Sequence, residues 1–185
     1  MQIAYTKSER KGDTDLLLTK LAERLRAAGA RLCGAVQKNQ DSLVHYGCDM
    51  DVTVLPNGPV IRISQSLGKE ARGCRLDPDA LERAVALSEM VLVDGADILI
   101  INKFGKHEAS GGGYRQLIAK AIELEVPVLV GLSQLNVDAF HDFTGGLGEA
   151  VQPNLAELLG WCQTAGLPTK AESAFEQRAS VSCPS

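Results

Sequence analysis

The segment "MQIAYTKSERKGDTDLLL", residues 1–18, decides the fold prediction. In residues 2–6, polar side chains stand on either side of β-branched and aromatic ones, and this pattern predicts a short strand. A polar loop with one glycine, Gly12, follows the strand. Apolar residues at positions 17, 21, 25 and 28 then have helical spacing, which predicts a helix that begins near Asp13 and ends at Gly29. A strand, a polar loop and a helix in this order are typical of the start of an α/β domain.

The loop has the outline of a phosphate-binding loop, G-x-x-x-x-G-K-[ST], with Gly12 and Thr14 in register with the end of the motif. Asp13 replaces the lysine that would reach the phosphates. Two interpretations remain open. Either Asp13 caps the helix and occupies its first N–H groups, or the loop is a phosphate cradle whose charge comes from neighbouring cations. Those cations are Lys7, Arg10 and Lys11.

Strands and helices alternate along the rest of the chain. Apolar strands are predicted at 31–37, 97–101 and 127–132, and helices near 78–90, 114–125 and 155–162. An insertion at 38–76 interrupts this order, and Asn57-Gly58 within it predicts a β-hairpin turn. We therefore predict a mainly parallel open sheet with helices on both faces. Ligands of such sheets bind beyond the carboxyl ends of the strands, which here are the loops after positions 6, 37, 101 and 132.

Composition limits the class of protein. The 185 residues, 45% of them hydrophobic, predict one domain at 1–165, and the polar segment 166–185 predicts a disordered tail. A net charge of -4 argues against binding of bulk nucleic acid. No apolar run reaches the roughly 20 residues of a membrane span. Five cysteines without a C-x-x-C pair indicate thiols in a reducing cytoplasm rather than a disulfide framework.

A second candidate site lies in "ILIINKFGKHEASGGGYR", residues 98–115. A magnesium-binding aspartate would be expected at the end of this apolar strand, but Asn102 and Lys103 stand there, and an amide carries no charge for a divalent cation. Glu108 is the nearest acid downstream. The three glycines at 111–113 predict either an anion-binding nest or a tight turn into the next helix. The remaining candidate ligand residues are Gly105, Lys106, Gly111, Gly112, Gly113 and Arg115.

A third candidate lies in the insertion. His45, Cys48 and Cys74 are ligand types that suit a soft or borderline metal. Their spacing matches no metal motif that we can name, and a buried thiol is the commoner fate of a single cysteine. A metal site and a set of structural thiols are both open interpretations.

The segments "GCDMDVTVLPNGPVIRISQSLGKEARGCRLD" and "INKFGKHEASGGGYRQLIAKAIELEVPVLVGL" resemble a prokaryotic domain family of unknown function whose members are often found near molybdate-transport genes. The resemblance runs from Ile3 to about Trp161. That family is in turn distantly similar to P-loop nucleoside triphosphatases with a D-E-x-G-K-x-E signature. This chain matches the signature at Gly105, Lys106 and Glu108, and departs from it at Asn102 and Lys103.

The resemblance implies a P-loop-like fold, and the departures fall on the positions that support hydrolysis. Phosphoryl transfer depends on positioning and charge stabilisation, so we do not expect efficient hydrolysis. The leading hypothesis is a catalytically degenerate binding protein for a small anion or a nucleotide-like ligand, with an accessory role in molybdate or other oxyanion handling. One alternative is a weak nucleoside triphosphatase that uses magnesium and Glu108. Another is a metal-binding or protein-docking module formed by the cysteine-bearing insertion.

Overall fold

The computed structural model describes residues 2–10, 12–40, 49–65 and 76–169. In these ranges the strands form one sheet in the order β4-β3-β2-β5-β6-β1-β7. The strands are β1 (Ile3–Thr6), β2 (Leu32–Gln40), β3 (Asp49–Val54), β4 (Val60–Arg62), β5 (Ile98–Phe104), β6 (Val128–Leu132) and β7 (Glu149–Ala150). The helices are α1 (Asp13–Ala27), α2 (Pro78–Val93), α3 (Lys106–Ala109), α4 (Arg115–Glu123), α5 (Val137–Thr144) and α6 (Leu155–Thr164).

The sheet is mainly parallel, as predicted. β1 pairs in parallel with β6 and β7, and β5 pairs in parallel with β2 and β6. The carboxyl ends of β1, β5 and β6 therefore meet at one edge of the sheet. β3 and β4 add an antiparallel extension beyond β2. The fold prediction, including its β-hairpin insertion, is confirmed.

The hairpin turn is built differently from the prediction. Neither Asn57 nor Gly58 has a positive φ, and the turn contains a cis Leu55–Pro56 peptide bond. Gly58 donates its N–H to the carbonyl of Val54 at 2.8 Å. A Cβ on Gly58 would lie 2.8 Å from Cβ of Val54. Glycine is therefore required here for close approach of the two backbones, not for a left-handed conformation.

Helices cover both faces of the sheet. One apolar cluster joins α1 and α6 to the face that carries Ala4, Ile98 and Ile100. The other joins α2, α4 and α5 to the opposite face, which carries Cys33 and Ile101. β5 lies between the two clusters, and the side chains of residues 98–101 are at most 1% exposed. None of the helices in the described ranges is long and apolar enough to cross a membrane.

Candidate functional site

The loop between β1 and α1 has the geometry of an anion-binding loop in one respect. Gly12 precedes α1 with φ +91°, a left-handed conformation that side chains disfavour. Asp13 is the first residue of the helix and is exposed, and no side-chain hydrogen bond caps this end of α1. The interpretation of Asp13 as the N-cap is therefore wrong, because Gly12 holds that position. The carboxylate of Asp13 lies in the first turn, where it interacts favourably with the helix dipole without closing the helix end.

Two side-chain contacts hold the loop in place. The hydroxyl of Thr14 accepts a hydrogen bond from the N–H of Ser8 at 3.1 Å. The ammonium of Lys7 donates to the side-chain oxygen of Gln134 at 2.6 Å, which ties the loop to the segment after β6. Lys7 also stands where the motif has its first glycine, a departure that the sequence shows as directly as Asp13 does. Arg10 is exposed, and Lys11 lies outside the described residues.

Buried polar groups lie at the carboxyl ends of β1 and β5. Thr6 and Asn102 are 0% and 5% exposed. The Asn102 amide donates to Oδ1 of Asp15, in the first turn of α1, at 2.9 Å. The other amide atom, Oδ1 of Asn102, and the hydroxyl of Thr6 have no hydrogen-bond partner in the described part of the chain. Because buried polar atoms in proteins are nearly always paired, these two atoms are candidates to contact a ligand or water.

Neighbouring strands pack tightly around these groups. A Cβ on Gly131 of β6 would lie 2.1 Å from the backbone oxygen of Asn102 and 3.0 Å from Cγ2 of Thr14. Glycine at this position therefore lets β5, β6 and the start of α1 approach one another. We call Thr6, Thr14, Asp15 and Asn102 the α1 polar cluster. Sequence reasoning found Thr14 and Asn102 and missed Thr6 and Asp15.

Glu108 has a structural role. Its side chain is 4% exposed, and Oε2 accepts from the N–H of Gly105 at 2.8 Å. The other oxygen, Oε1, accepts from the N–H of Tyr114 at 3.4 Å. A carboxylate held by backbone donors on both oxygens is poorly placed to act as a general base. These contacts instead fix the loops on either side of α3.

The three glycines form a turn around His107 and Glu108. A Cβ on Gly112 would lie 2.5 Å from Nε2 of His107, and one on Gly113 would lie 2.3 Å from Oε1 of Glu108. The N–H of Gly113 donates to Oε1 of Glu82 at 2.9 Å. An acceptor already occupies this N–H, so the contacts favour the tight-turn interpretation over an anion nest.

The predicted cations do not all meet at one place. The guanidinium of Arg115 stacks on the ring of Phe143 at 4.2 Å and donates to the backbone oxygen of Glu108 at 3.4 Å. Lys103, Lys106 and Gly105 instead line a cavity of about 950 Å³ on the α2 side of the sheet. The structure thus joins Asn102 to the first turn of α1. Asn102 also lines the cavity with Lys103, Gly105 and Lys106, whereas Arg115 lies at the turn.

The predicted metal ligands His45, Cys48 and Cys74 lie outside the described residues. Within the ranges that are described, no group of three His, Cys, Asp or Glu side chains is placed to hold a metal ion. The two described cysteines, Cys33 and Cys162, are buried, and burial raises the pKa of each thiol to about 12. Both are therefore protonated at neutral pH and unsuited to nucleophilic or redox chemistry.

The order of the sheet, the loop after β1 and the helix that follows it define an α/β protein with the fold of P-loop nucleoside triphosphatases. The chain resembles the crystal structure of THEP1 from the hyperthermophile Aquifex aeolicus, with a TM-score of 0.59 and 17% identity over 83% of this chain and 90% of that one. It also resembles the solution structure of a human cancer-related nucleoside triphosphatase, with a TM-score of 0.56 and 15% identity over 81% and 87% of the two chains. At these identities the likeness shows the fold alone.

The chain belongs to the family described as "Protein of unknown function (DUF2478)", which matches residues 3–161. A relative from Bradyrhizobium diazoefficiens, "Molybdenum import ATP-binding protein ModC 2", is 37% identical over 149 residues. That match covers 80% of this chain and 17% of the relative. The chain therefore corresponds to about a sixth of the length of that protein.

The fold implies two ligands, a nucleotide and a magnesium ion. The α1 polar cluster does not suit the two equally. The glycine-started helix end suits a tetrahedral anion. A divalent cation would require negative oxygen ligands, whereas Asn102 is an amide and the Asp15 carboxylate accepts a hydrogen bond from it. The Thr14 hydroxyl is directed to the Ser8 N–H. Asp15 is thus the only carboxylate of the α1 polar cluster, which falls short of the negative oxygen ligands that a catalytic magnesium ion requires.

Proposed function

We propose that this protein binds a tetrahedral oxyanion, either free or as the phosphate of a nucleotide, at the start of α1 and does not hydrolyse nucleotides efficiently. The observation that carries this proposal is that the buried side-chain oxygens of Thr6 and Asn102 have no hydrogen-bond partner among the described residues. Asn102 contacts the first turn of α1, and that helix end has no side-chain cap. The Thr6 hydroxyl can donate to an anion, and Oδ1 of Asn102 can accept from a protonated oxyanion or a bridging water.

Three residues at the positions that would support hydrolysis argue against efficient hydrolysis. Asp13 stands in place of the phosphate-binding lysine, Asn102 in place of a metal-binding acid, and both oxygens of Glu108 are engaged with backbone N–H groups. Loss of one such charge-stabilising group costs about 10²–10³ in rate in enzymes that depend on it. Purified protein should therefore show no magnesium-dependent ATP or GTP hydrolysis above a blank.

The relative named as a molybdenum import protein supports molybdate as one oxyanion to test. We propose an accessory role in handling molybdate or a related oxyanion. Thermal unfolding in the presence of ATP, GTP, phosphate, sulfate, molybdate or tungstate, each with and without magnesium, separates the free anions from the nucleotides. A ligand at 100 times its Kd should stabilise the folded state by about 2.7 kcal/mol. Failure of every compound to raise the unfolding temperature would refute the proposal.

The variant Asp13→Lys locates the site. It restores the lysine of the motif beside Gly12, so the affinity for phosphate compounds should rise. Its cost without ligand should be about 0.3–1 kcal/mol, because a cation replaces an anion in the first turn of a helix. Asp79→Lys is the matched control, since Asp79 is an exposed acid in the first turn of α2. The control should share the cost and show no gain in affinity. An equal response of both variants to ligand would place binding elsewhere.

A further inference from the structure

The cavity on the α2 side of the sheet shares Asn102 with the site proposed above and is otherwise lined by different residues. Its walls include Ala35, Val52, Ile63, Leu81 and Ile101, which belong to the apolar cluster on the face opposite to α1. The loop from Lys7 to Thr14 contributes no lining residue among those described. With a volume of about 950 Å³, the cavity is at the upper end of the range of roughly 300–1,000 Å³ that is usual for sites of small organic ligands.

The charged groups at this cavity are unevenly paired. Lys103 and Lys106 line it, both are exposed, and neither forms a salt bridge with a described carboxylate. Glu108 also lines it, but backbone N–H groups occupy both of its oxygens. Among the described residues the unpaired charge at the cavity is therefore positive, while about half of the lining side chains are apolar.

The cavity also adjoins the segment that holds the loop after β1. Ser133 and Asn136 line it, and Gln134 between them accepts the hydrogen bond from Lys7. Asn102 lines the cavity and donates to Asp15 of α1. A ligand in the cavity would thus contact Asn102 and the neighbours of Gln134. A ligand with an apolar body and one negative group would match both the apolar part of the walls and the two lysines.

We infer that this cavity binds a small organic anion, one with an apolar and preferably aromatic body and a single carboxylate, sulfonate or phosphate group. The body lies against Ala35, Val52 and Ile101, and the anionic group lies between Lys103 and Lys106. The assignment uses different cations from the proposed oxyanion site and lies mainly on the opposite face of the sheet, and the two sites share Asn102.

The test uses two fluorescent probes of similar shape, 1-anilinonaphthalene-8-sulfonate and its uncharged parent N-phenyl-1-naphthylamine, titrated into the full chain. The sulfonate should bind with a stoichiometry of one. The double variant Lys103→Glu/Lys106→Glu should weaken sulfonate binding by about tenfold, since it replaces two attractions with two repulsions at an exposed mouth. Binding of the uncharged probe should change less than about twofold. Lys20→Glu, an exposed charge reversal on α1, is the control and should affect neither probe.

A second variant, Ala35→Leu, adds a side chain to the wall of the cavity. It should weaken binding of both probes by about tenfold or more, while circular dichroism reports the parent fold. If this variant does not fold, Val52→Phe fills the same cavity from β3 and serves instead. Probe binding that does not saturate, or that is equal in the filled variants and the parent, would overturn the proposal. The proposal would also be overturned if the parent bound neither probe and a filled variant were more stable than the parent. The cavity would then be a packing void.

Phosphate, molybdate and ATP serve as competitors. If they leave the sulfonate affinity unchanged in the parent, the cavity and the α1 site are distinct, as proposed. If these competitors displace the sulfonate probe, and if Asp13→Lys changes the affinity for that probe, the probe occupies the oxyanion site. The proposal of a second site then fails. Failure of the oxyanion proposal alone would appear as no response to these compounds with probe binding intact.

Discussion

The variant Asn102→Asp tests the α1 polar cluster most directly. The Asn102 amide donates to Oδ1 of Asp15 at 2.9 Å, and the orientation of the amide is fixed because a carboxylate only accepts. An aspartate in its place would set two carboxylates against each other in a buried position. The variant also carries the acid that the P-loop signature has here, so its behaviour bears on both stability and metal binding.

The size of the effect follows from comparing two routes. If both carboxylates stay charged about 4 Å apart, their repulsion is about 4 kcal/mol at an effective dielectric constant of roughly 20, and a hydrogen bond to a charged group worth about 1.5–3 kcal/mol is lost as well. If the introduced carboxyl is protonated, it can donate to Asp15. Keeping it protonated at pH 7 costs about 4 kcal/mol, because pH 7 lies about three units above the ordinary carboxyl pKa near 3.9. Protonation is the cheaper route.

The expected result is therefore dependent on pH. The introduced carboxyl has a higher pKa in the folded than in the unfolded state, so the folded state binds more protons and stability falls as pH rises. We expect Asn102→Asp to lower the free energy of unfolding by about 4 kcal/mol at pH 7 and by about 1.5 kcal/mol at pH 5, as measured by urea unfolding. Magnesium should restore part of the loss in the variant and leave the parent unchanged.

Asn154→Asp is the matched control for this experiment. The oxygen of Asn154 accepts from the N–H of Glu157 at 3.0 Å and caps α6, a role that aspartate fills equally well. The control should change the free energy of unfolding by less than about 0.5 kcal/mol at either pH. A loss below about 1 kcal/mol for Asn102→Asp, or one that does not vary with pH, would show that the Asn102–Asp15 hydrogen bond does not form in solution.

Three further perturbations test other parts of the structure. Glu108→Ala should lower the free energy of unfolding by about 2–5 kcal/mol, because two backbone N–H groups lose their acceptor, and a loss below about 1 kcal/mol in urea unfolding would contradict that role. Gly131→Ala should cost about 3 kcal/mol or more through the backbone of Asn102, whereas Gly160→Ala, with open space around it on α6, should not destabilise the protein. The Arg31 guanidinium holds the pKa of Asp97 below its ordinary value, so the stability lost in Asp97→Asn should be small, present above about pH 4, and absent below the lowered pKa.

The sequence predicts the sheet well, because burial leaves a clear local signal. Residues 98–101 form a continuous apolar run, and the structure buries all of them between two helical layers. Helix α5 and strand β7 were not predicted. The structure buries only Phe140 and Thr144 within α5, which is too few positions to show a helical period, and β7 has two residues.

The site is harder to predict because its contacts join distant parts of the chain. Asn102 contacts Asp15, 87 positions away, and Lys7 contacts Gln134, 127 positions away. The predicted loop does lie between a strand and a helix, and Gly12 has a left-handed conformation there. The motif could not show which residue stands at the N-cap of α1. It also could not show that backbone N–H groups donate hydrogen bonds to the carboxylate of Glu108. Those properties depend on tertiary packing rather than on residue spacing.

The amide at position 102 removes one reason for a metal ion beside α1. An aspartate at 102 would need a cation, or a proton, between it and Asp15. Asparagine instead donates to Asp15 directly, and its other amide atom is a neutral oxygen with no hydrogen-bond partner among the described residues. Asparagine therefore adds no negative charge to the polar cluster, and under the proposed function the cluster offers a ligand one acceptor and one hydroxyl. For this reason we expect oxyanion binding to be insensitive to magnesium, in contrast to the binding of a nucleotide by a site that holds a metal-binding acid.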